Sequence, residues 1–136
     1  MEFDTKIVVV LRDDLEVWQK ANVTAFLVSG ISGTDATTVG EPYVDGSGVR
    51  YLPMFRQPVL VYAADGAALR RAYERARARD VDLAIYTREL FATGHDGANR
   101  DAVAAVPSND LDLVGIAFRT ERKTADKVLD KLRPHP

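Results

Sequence analysis

The run Lys6-Ile-Val-Val-Val-Leu11 constrains the fold more than any other stretch of the chain. Successive apolar, mostly β-branched residues without polar alternation leave no face of a strand suited to water. Such a run reads as a central strand covered on both sides, the pattern of an α/β protein rather than of a half-wet antiparallel sheet. Residues 15–31 then place apolar side chains around most of a helical circumference, Leu15, Val17, Trp18, Val23, Phe26 and Leu27 among them. This predicts a largely buried helix. Asp13 or Asp14 stands where an N-cap belongs, and Gly30 and Gly33 bracket the expected end.

The alternation continues down the chain. Tyr43-Val44 and Val49-Arg50-Tyr51 flank Asp45-Gly-Ser-Gly48, which predicts a short hairpin, kept to an edge by Pro42, Pro53 and Pro58. A strand is expected over 58–63, followed by a helix capped by Asp65 with Leu69, Ala72, Tyr73 and Ala76 on one face. Further strands are expected over 81–86 and 111–118, separated by a helix over 96–106 that Pro107 stops. Thr120 is expected to cap a last helix, with Ala125, Val128, Leu129 and Leu132 buried and Pro134 at its end. The order predicts one domain over residues 1–136. Its class is α/β: a three-layer α/β/α sandwich on a mixed, mainly parallel sheet of four or five strands.

Composition narrows the function. The chain of 136 residues has no cysteine, so thiolate metal sites and cysteine nucleophiles are excluded. Its two histidines, His95 and His135, cannot build a three-histidine zinc centre, and no Walker loop or dinucleotide fingerprint follows a strand. No metal and no cofactor are expected. With 18 Lys+Arg against 20 Asp+Glu the net charge is −2, which speaks against a nucleic-acid partner. No apolar run approaches the ~18 residues of a membrane span, and the acidic start Met1-Glu2-Phe3-Asp4 is unlike a signal peptide. A cytoplasmic protein is the expectation.

Three groupings carry candidate chemistry. Lys20, Asn22 and Thr24 are polar on an otherwise apolar helix. They either line a pocket at the end of the first strand, where open α/β sheets bind ligands, or satisfy solvent and backbone. Thr93-Gly-His95-Asp96-Gly-Ala-Asn99 offers an imidazole beside a carboxylate between two glycines. It reads as a site for proton transfer or binding, or else as a loop in which Asp96 caps the next helix. The arginines Arg71, Arg75 and Arg79, with Arg70 and Arg77 beside them, read as a solvated helix face rather than a phosphate-binding ridge.

The opening Lys6-Ile-Val-Val-Val-Leu-Arg-Asp-Asp-Leu15 with a lysine-bearing helix resembles type II peptidyl-tRNA hydrolases. Pro58-Val-Leu-Val-Tyr62, Val81-Asp-Leu-Ala-Ile-Tyr86, and Leu113-Val-Gly-Ile-Ala117 before Asp126-Lys127-Val128 have counterparts there. A closer resemblance is to their relative, the domain-of-unknown-function family two thousand. Its members share Asn22, an Asp-x-x-Gly hairpin like Asp45-Gly-Ser-Gly48 and the late Gly-Ile-Ala run. The resemblance spans nearly the whole chain and implies a peptidyl-tRNA hydrolase II-like fold, with Lys20 in the place of an active-site lysine. The hydrolases also carry Asp-Ala-Gly-(Arg/Lys)-Thr after the third strand, where this chain reads Tyr86-Thr87-Arg88-Glu89. Their Lys-x-Ala-Ala-Gln becomes Lys20-Ala-Asn-Val-Thr24. The expectation is therefore a non-hydrolase relative that binds a small molecule or peptide end between Lys20, Asn22, Thr24 and the set Thr93, His95, Asp96, Asn99. The alternatives are a hydrolase of aminoacyl or peptidyl esters using Lys20 and His95/Asp96, and a homodimeric partner-binding module using the edge around Tyr51 and Phe55.

Overall fold

A strand as apolar as Ile7 to Leu11 has to be roofed twice, and in the computed structural model, which describes residues 3–136, it is. Met1 and Glu2 of the acidic start lie outside the described residues. β1 (Thr5–Arg12) is the middle strand of five, in the order β5 (Ala84–Thr87), β6 (Leu113–Glu121), β1, β4 (Val59–Ala64), β7 (Arg133–Pro134). Val8 and Val10 point to a layer formed by α2 (Gly66–Ala78) and α4 (Arg122–Val128), where they meet Leu69, Tyr73, Phe118 and Val128. Val9 and Leu11 point the other way, onto Val23 and Leu27 of α1 (Val17–Thr34). All of Ile7 to Val10 are fully buried.

The sheet is mixed, but it is not mainly parallel. β1 runs parallel to β4 (Val59–Ala64), with Ile7 opposite Val59 and Arg12 opposite Ala64. The other three pairings are antiparallel: β1 with β6 (Leu113–Glu121), β5 (Ala84–Thr87) with β6, and β4 with β7 (Arg133–Pro134). The reason is an insertion. β1, β4 and β5 point the same way, as β-α-β alternation requires, but β6 enters antiparallel between β5 and β1 and separates them.

Several boundaries move from their expected places, each for a local reason. Glu16, not Asp13 or Asp14, starts α1, with its N–H bonded to the Gln19 side chain at 2.9 Å. Asp14 instead pairs with Arg12. α1 continues through Gly30 and Gly33 to Thr34, and Gly30 faces Ala84 of β5, to which a Cβ would stand at 3.4 Å. α1 is also less buried than its apolar content suggests. Val23 and Leu27 are enclosed, whereas Val17, Trp18 and Phe26 are 84%, 63% and 52% exposed. At the C-terminus, β6 runs through Thr120 to Glu121, which occupies the N-cap of α4. α4 stops at Val128, and Pro134 lies in β7 rather than ending a helix. The third expected strand begins only at Ala84, and α3 (Asp96–Ala104) ends two residues before the expected 106.

Between α1 and β4 the chain makes an arm. Val39 bridges Phe55, and β2 (Tyr43–Val44) pairs with β3 (Arg50–Tyr51) around a turn in which Asp45 accepts from Ser47 N–H and Val49 N–H. Gly48 takes φ 84°, a conformation that favours glycine. Residues 43–52 are all exposed. Among the described residues no helix is long and apolar enough to cross a membrane.

Candidate functional site

Trp18, Asn22 and Phe26 recur every fourth residue and form a stripe along α1. Because Val23 and Leu27 take the buried face, this stripe is turned away from the middle of the sheet. It meets the far end of β5 and the segment after it. The pairing of β5 with β6 skips Val114, so that Tyr86 stands opposite Gly115 and Thr87 opposite Leu113. The irregularity follows Tyr86, whose ring reaches the α1 side by ordinary alternation, with Ala84 on the same face and Ile85 on the other. The chain then makes a tight helical turn (Arg88–Ala92) that presents Leu90 and Phe91, and a loop over 93–95 that leads into α3.

The result is a cleft of about 410 Å³. Its walls are aromatic: Trp18 and Phe91 meet edge to face at 5.9 Å, Phe91 and Tyr86 at 5.1 Å, and Tyr86 and Phe26 at 5.9 Å. Asn22 sits inside this arc and donates from Nδ2 to the Tyr86 hydroxyl at 3.3 Å. Burial pushes the Tyr86 phenol above its ordinary value, and the Asn22 hydrogen bond opposes part of that rise. The far rim consists of Thr93, Gly94, His95, Asp96 and Asn99. The amide and the loop selected from sequence therefore face one cavity.

The rim residues have separate tasks. His95, not Asp96, caps α3, with Nδ1 accepting from Ala98 N–H at 3.2 Å. That bond places the neutral ring's proton on Nε2. Asp96 pairs with Arg100 at 2.6 Å on the next turn. The imidazole and the carboxylate thus do not form a proton-transfer pair. The Thr93 hydroxyl lies against the Leu90 carbonyl at 2.9 Å and also contacts the Asn99 side chain.

Lys20 and Thr24 are not brought to the cleft. Lys20 Nζ lies 3.0 Å from His135 Nε2 beyond β7, and the Thr24 hydroxyl returns to the Lys20 carbonyl at 2.8 Å. The residues at the end of β5, Thr87 and Arg88, carry no carboxylate of their own. Thr87 is buried, its hydroxyl unpartnered among the described residues, and Arg88 joins Arg12, Asp14 and Asp112 in an ion network. The Arg12 hydrogen bond heads the influences that hold the Asp14 carboxyl below its ordinary range. Among the described residues no group of three or more His, Asp or Glu is placed to hold a metal. Of the arginines on and after α2, Arg71, Arg77 and Arg79 are exposed, whereas Arg70 and Arg75 are half-buried and donate to the carbonyls of Leu111 and Asp130; Arg70 and Arg77 lie over the Tyr73 ring.

Sequence reading missed the walls of the cleft. Trp18 and Phe26 look like core residues in a helix so rich in apolar side chains. The available signal was their spacing: an amide midway between two aromatics on one stripe, a third of a turn from Val23 and Leu27.

No curated protein matches the chain. Among solved structures, it is similar to Atu0240, a protein of unknown function from Agrobacterium tumefaciens strain C58. The two are 47% identical with a TM-score of 0.96, over 99% of this chain and 100% of the other. The family described as "Protein of unknown function (DUF2000)" matches residues 5–136. The chain belongs to that family.

Proposed function

We propose that the protein is a non-hydrolytic binding domain, on a fold resembling type II peptidyl-tRNA hydrolases, that takes a small molecule or peptide end in the cleft beside Asn22. One observation carries this reading: Asn22 and the 93–99 segment, distant in sequence, converge on a single aromatic-walled cavity. Concave, mostly apolar sites with a few converging polar groups are the usual form of a ligand pocket. The ester-hydrolase reading has less support, because Lys20 is engaged by His135, and His95 and Asp96 are engaged apart. Cleavage of peptidyl-tRNA is expected to be absent in a single-turnover assay. Hydrolysis abolished by Lys20→Ala would overturn that expectation.

The chain has one tryptophan, and it lines the cleft. Titrating the protein with a panel of metabolites and N-acetylated peptide amides while following Trp18 fluorescence is therefore a direct test. A saturable change is expected for at least one probe. Asn22→Leu should weaken that binding by about tenfold, the effect of one lost hydrogen-bonded pair, and Lys20→Ala should leave it unchanged. The opposite ranking would move the site to the other side of α1.

For the arm we propose a second copy of the chain as partner. Tyr43, Val44, Val49, Tyr51, Leu52 and Met54 are each at least half exposed, an apolar concentration that isolated monomers rarely carry. Two-fold dimers are the commonest closed assembly. Light scattering is expected to give about twice the 15.0 kDa of one chain, and Leu52→Asp should return it to one. A monomeric mass for the unaltered protein at micromolar concentration would sink this proposal.

A further inference from the structure

We infer that the cleft is built for a neutral, planar heterocycle that carries a hydrogen-bond donor next to an acceptor on one edge, as a nucleobase does. The inference rests on the binding reading of the cleft and adds the chemical class of its occupant. Three features lead to it.

The first is the arc of rings. Trp18, Phe91, Tyr86 and Phe26 pack in sequence at interplanar angles of 70°, 50° and 72°. Although they touch their neighbours, Trp18 and Phe26 remain more than half exposed, so ring surface is left for stacking. Stacking on such faces suits a flat ligand and is tolerant of its identity.

The second is the amide. Asn22 spends one proton on the Tyr86 hydroxyl. Its Oδ1 accepts no hydrogen bond from another described residue and, unlike the buried unpartnered Thr87 hydroxyl, stays open to water beside the aromatic surface. A carboxamide edge with a free carbonyl and a remaining N–H is self-complementary to a ring edge of the form N–H beside C=O. The same donor-and-acceptor geometry lets asparagine read the amino N–H and ring nitrogen of adenine in bidentate fashion. An alkyl or simple phenyl ligand would cover Oδ1 without replacing its hydration, which opposes binding.

The third is charge. No lysine or arginine lines the cleft, and the one carboxylate on its rim, Asp96, forms an exposed ion pair with Arg100. A phosphate on the ligand would find no lysine or arginine of its own there, and at the N-terminus of α3 it would meet the carboxylate of Asp96, already seated in the first turn. The occupant is therefore a free base or a nucleoside rather than a nucleotide, and the net charge of −2 also disfavours a polynucleotide.

The test follows the Trp18 indole N–H signal by NMR, with calorimetry, during titration with uracil, uridine, uridine monophosphate and 1,3-dimethyluracil. N-acetyltyrosinamide serves as a peptide-end probe. Uracil and uridine are expected to bind saturably. Dimethyluracil keeps the ring but blocks its N–H groups and should bind at least about tenfold more weakly, as should the monophosphate relative to uridine. Asn22→Leu should erase the difference between uracil and dimethyluracil, and its unfolding midpoint, measured alongside, establishes that the variant is folded. Equal affinity for uracil and dimethyluracil overturns the inference and leaves the cleft a binding site. So does saturable binding of N-acetyltyrosinamide with no response to the four rings. Monophosphate binding as tight as uridine would overturn its neutrality. A Trp18 signal unmoved by every probe counts against this inference and the binding reading together.

Discussion

Gly115→Ala is expected to lower the stability of the protein by about 1–3 kcal/mol, the usual range for overpacking a well-filled core. The cause is a seat cut for one helix. Gly115 lies in β6 opposite Leu11 of β1 and Tyr86 of β5. A Cβ there would stand 2.7 Å from Val23 Cγ1, 3.1 Å from Leu27 Cδ1 and 3.4 Å from Leu11 Cδ2. Val23 and Leu27 are the two residues that α1 buries fully, and both are β-branched or γ-branched side chains with little room to turn. The helix must lift, or the strand must sink. Urea unfolding should show a lower midpoint with an unchanged slope. Val23→Ala opens the space that the new methyl needs, so the pair should be less destabilised than the sum of the single changes. Because α1 also carries Trp18, Asn22 and Phe26, the fluorescence of Trp18 should shift in Gly115→Ala before unfolding begins. An unchanged midpoint would show that α1 is not held against Gly115.

The same glycine marks how much of the molecule can be read from the chain. The existence of β1, β4 and α2 follows from local pattern, down to Asp65, whose side chain accepts from Ala68 N–H at 2.8 Å as an N-cap should. Strand direction does not follow, because Leu113 to Phe118 is equally apolar whether it runs up or down the sheet. Its antiparallel entry beside β1 is a matter of which neighbours it buries. The C-terminal pairing is similarly hidden: only two residues of β7 join β4, and one of them is a proline. At the site, polarity on an apolar helix was enough to single out Asn22, and glycine flanks were enough to single out the 93–99 segment. Neither signal distinguishes a side chain that faces the cleft from one that does not. Lys20 is two residues from Asn22, and on a helix at ~100° per residue that separation turns it to another face. The aromatic walls were legible only as apolar content. Which half of an apolar helix is covered depends on the width of the sheet beneath it.

Tyr86 belongs to both the core and the cleft, and truncating it should have the larger of the two effects. Tyr86→Ala is expected to cost about 3–5 kcal/mol, the range for removing a buried aromatic ring. The ring is 4% exposed and touches both Phe26 and Phe91. Its loss should also leave Trp18 and Phe91 without the third wall, and ligand binding should disappear at temperatures where the variant is still folded. Tyr86→Phe separates the two roles, since it keeps the ring and removes only the hydroxyl that Asn22 bonds. It should be close to neutral in stability near neutral pH. Above pH ~10 it should differ from the parent, because burial raises the native phenol above the ordinary value near 10. In that window the unfolded chain has given up the proton and the native chain has kept it, so the parent's stability falls as pH rises toward the native value. Below pH ~10 this contribution is fully present, and in Tyr86→Phe the fall is missing. Parallel stability curves for the two proteins through the alkaline range would mean that the Tyr86 hydroxyl reaches water freely, and the cleft beside Asn22 would then be too open to desolvate a ligand.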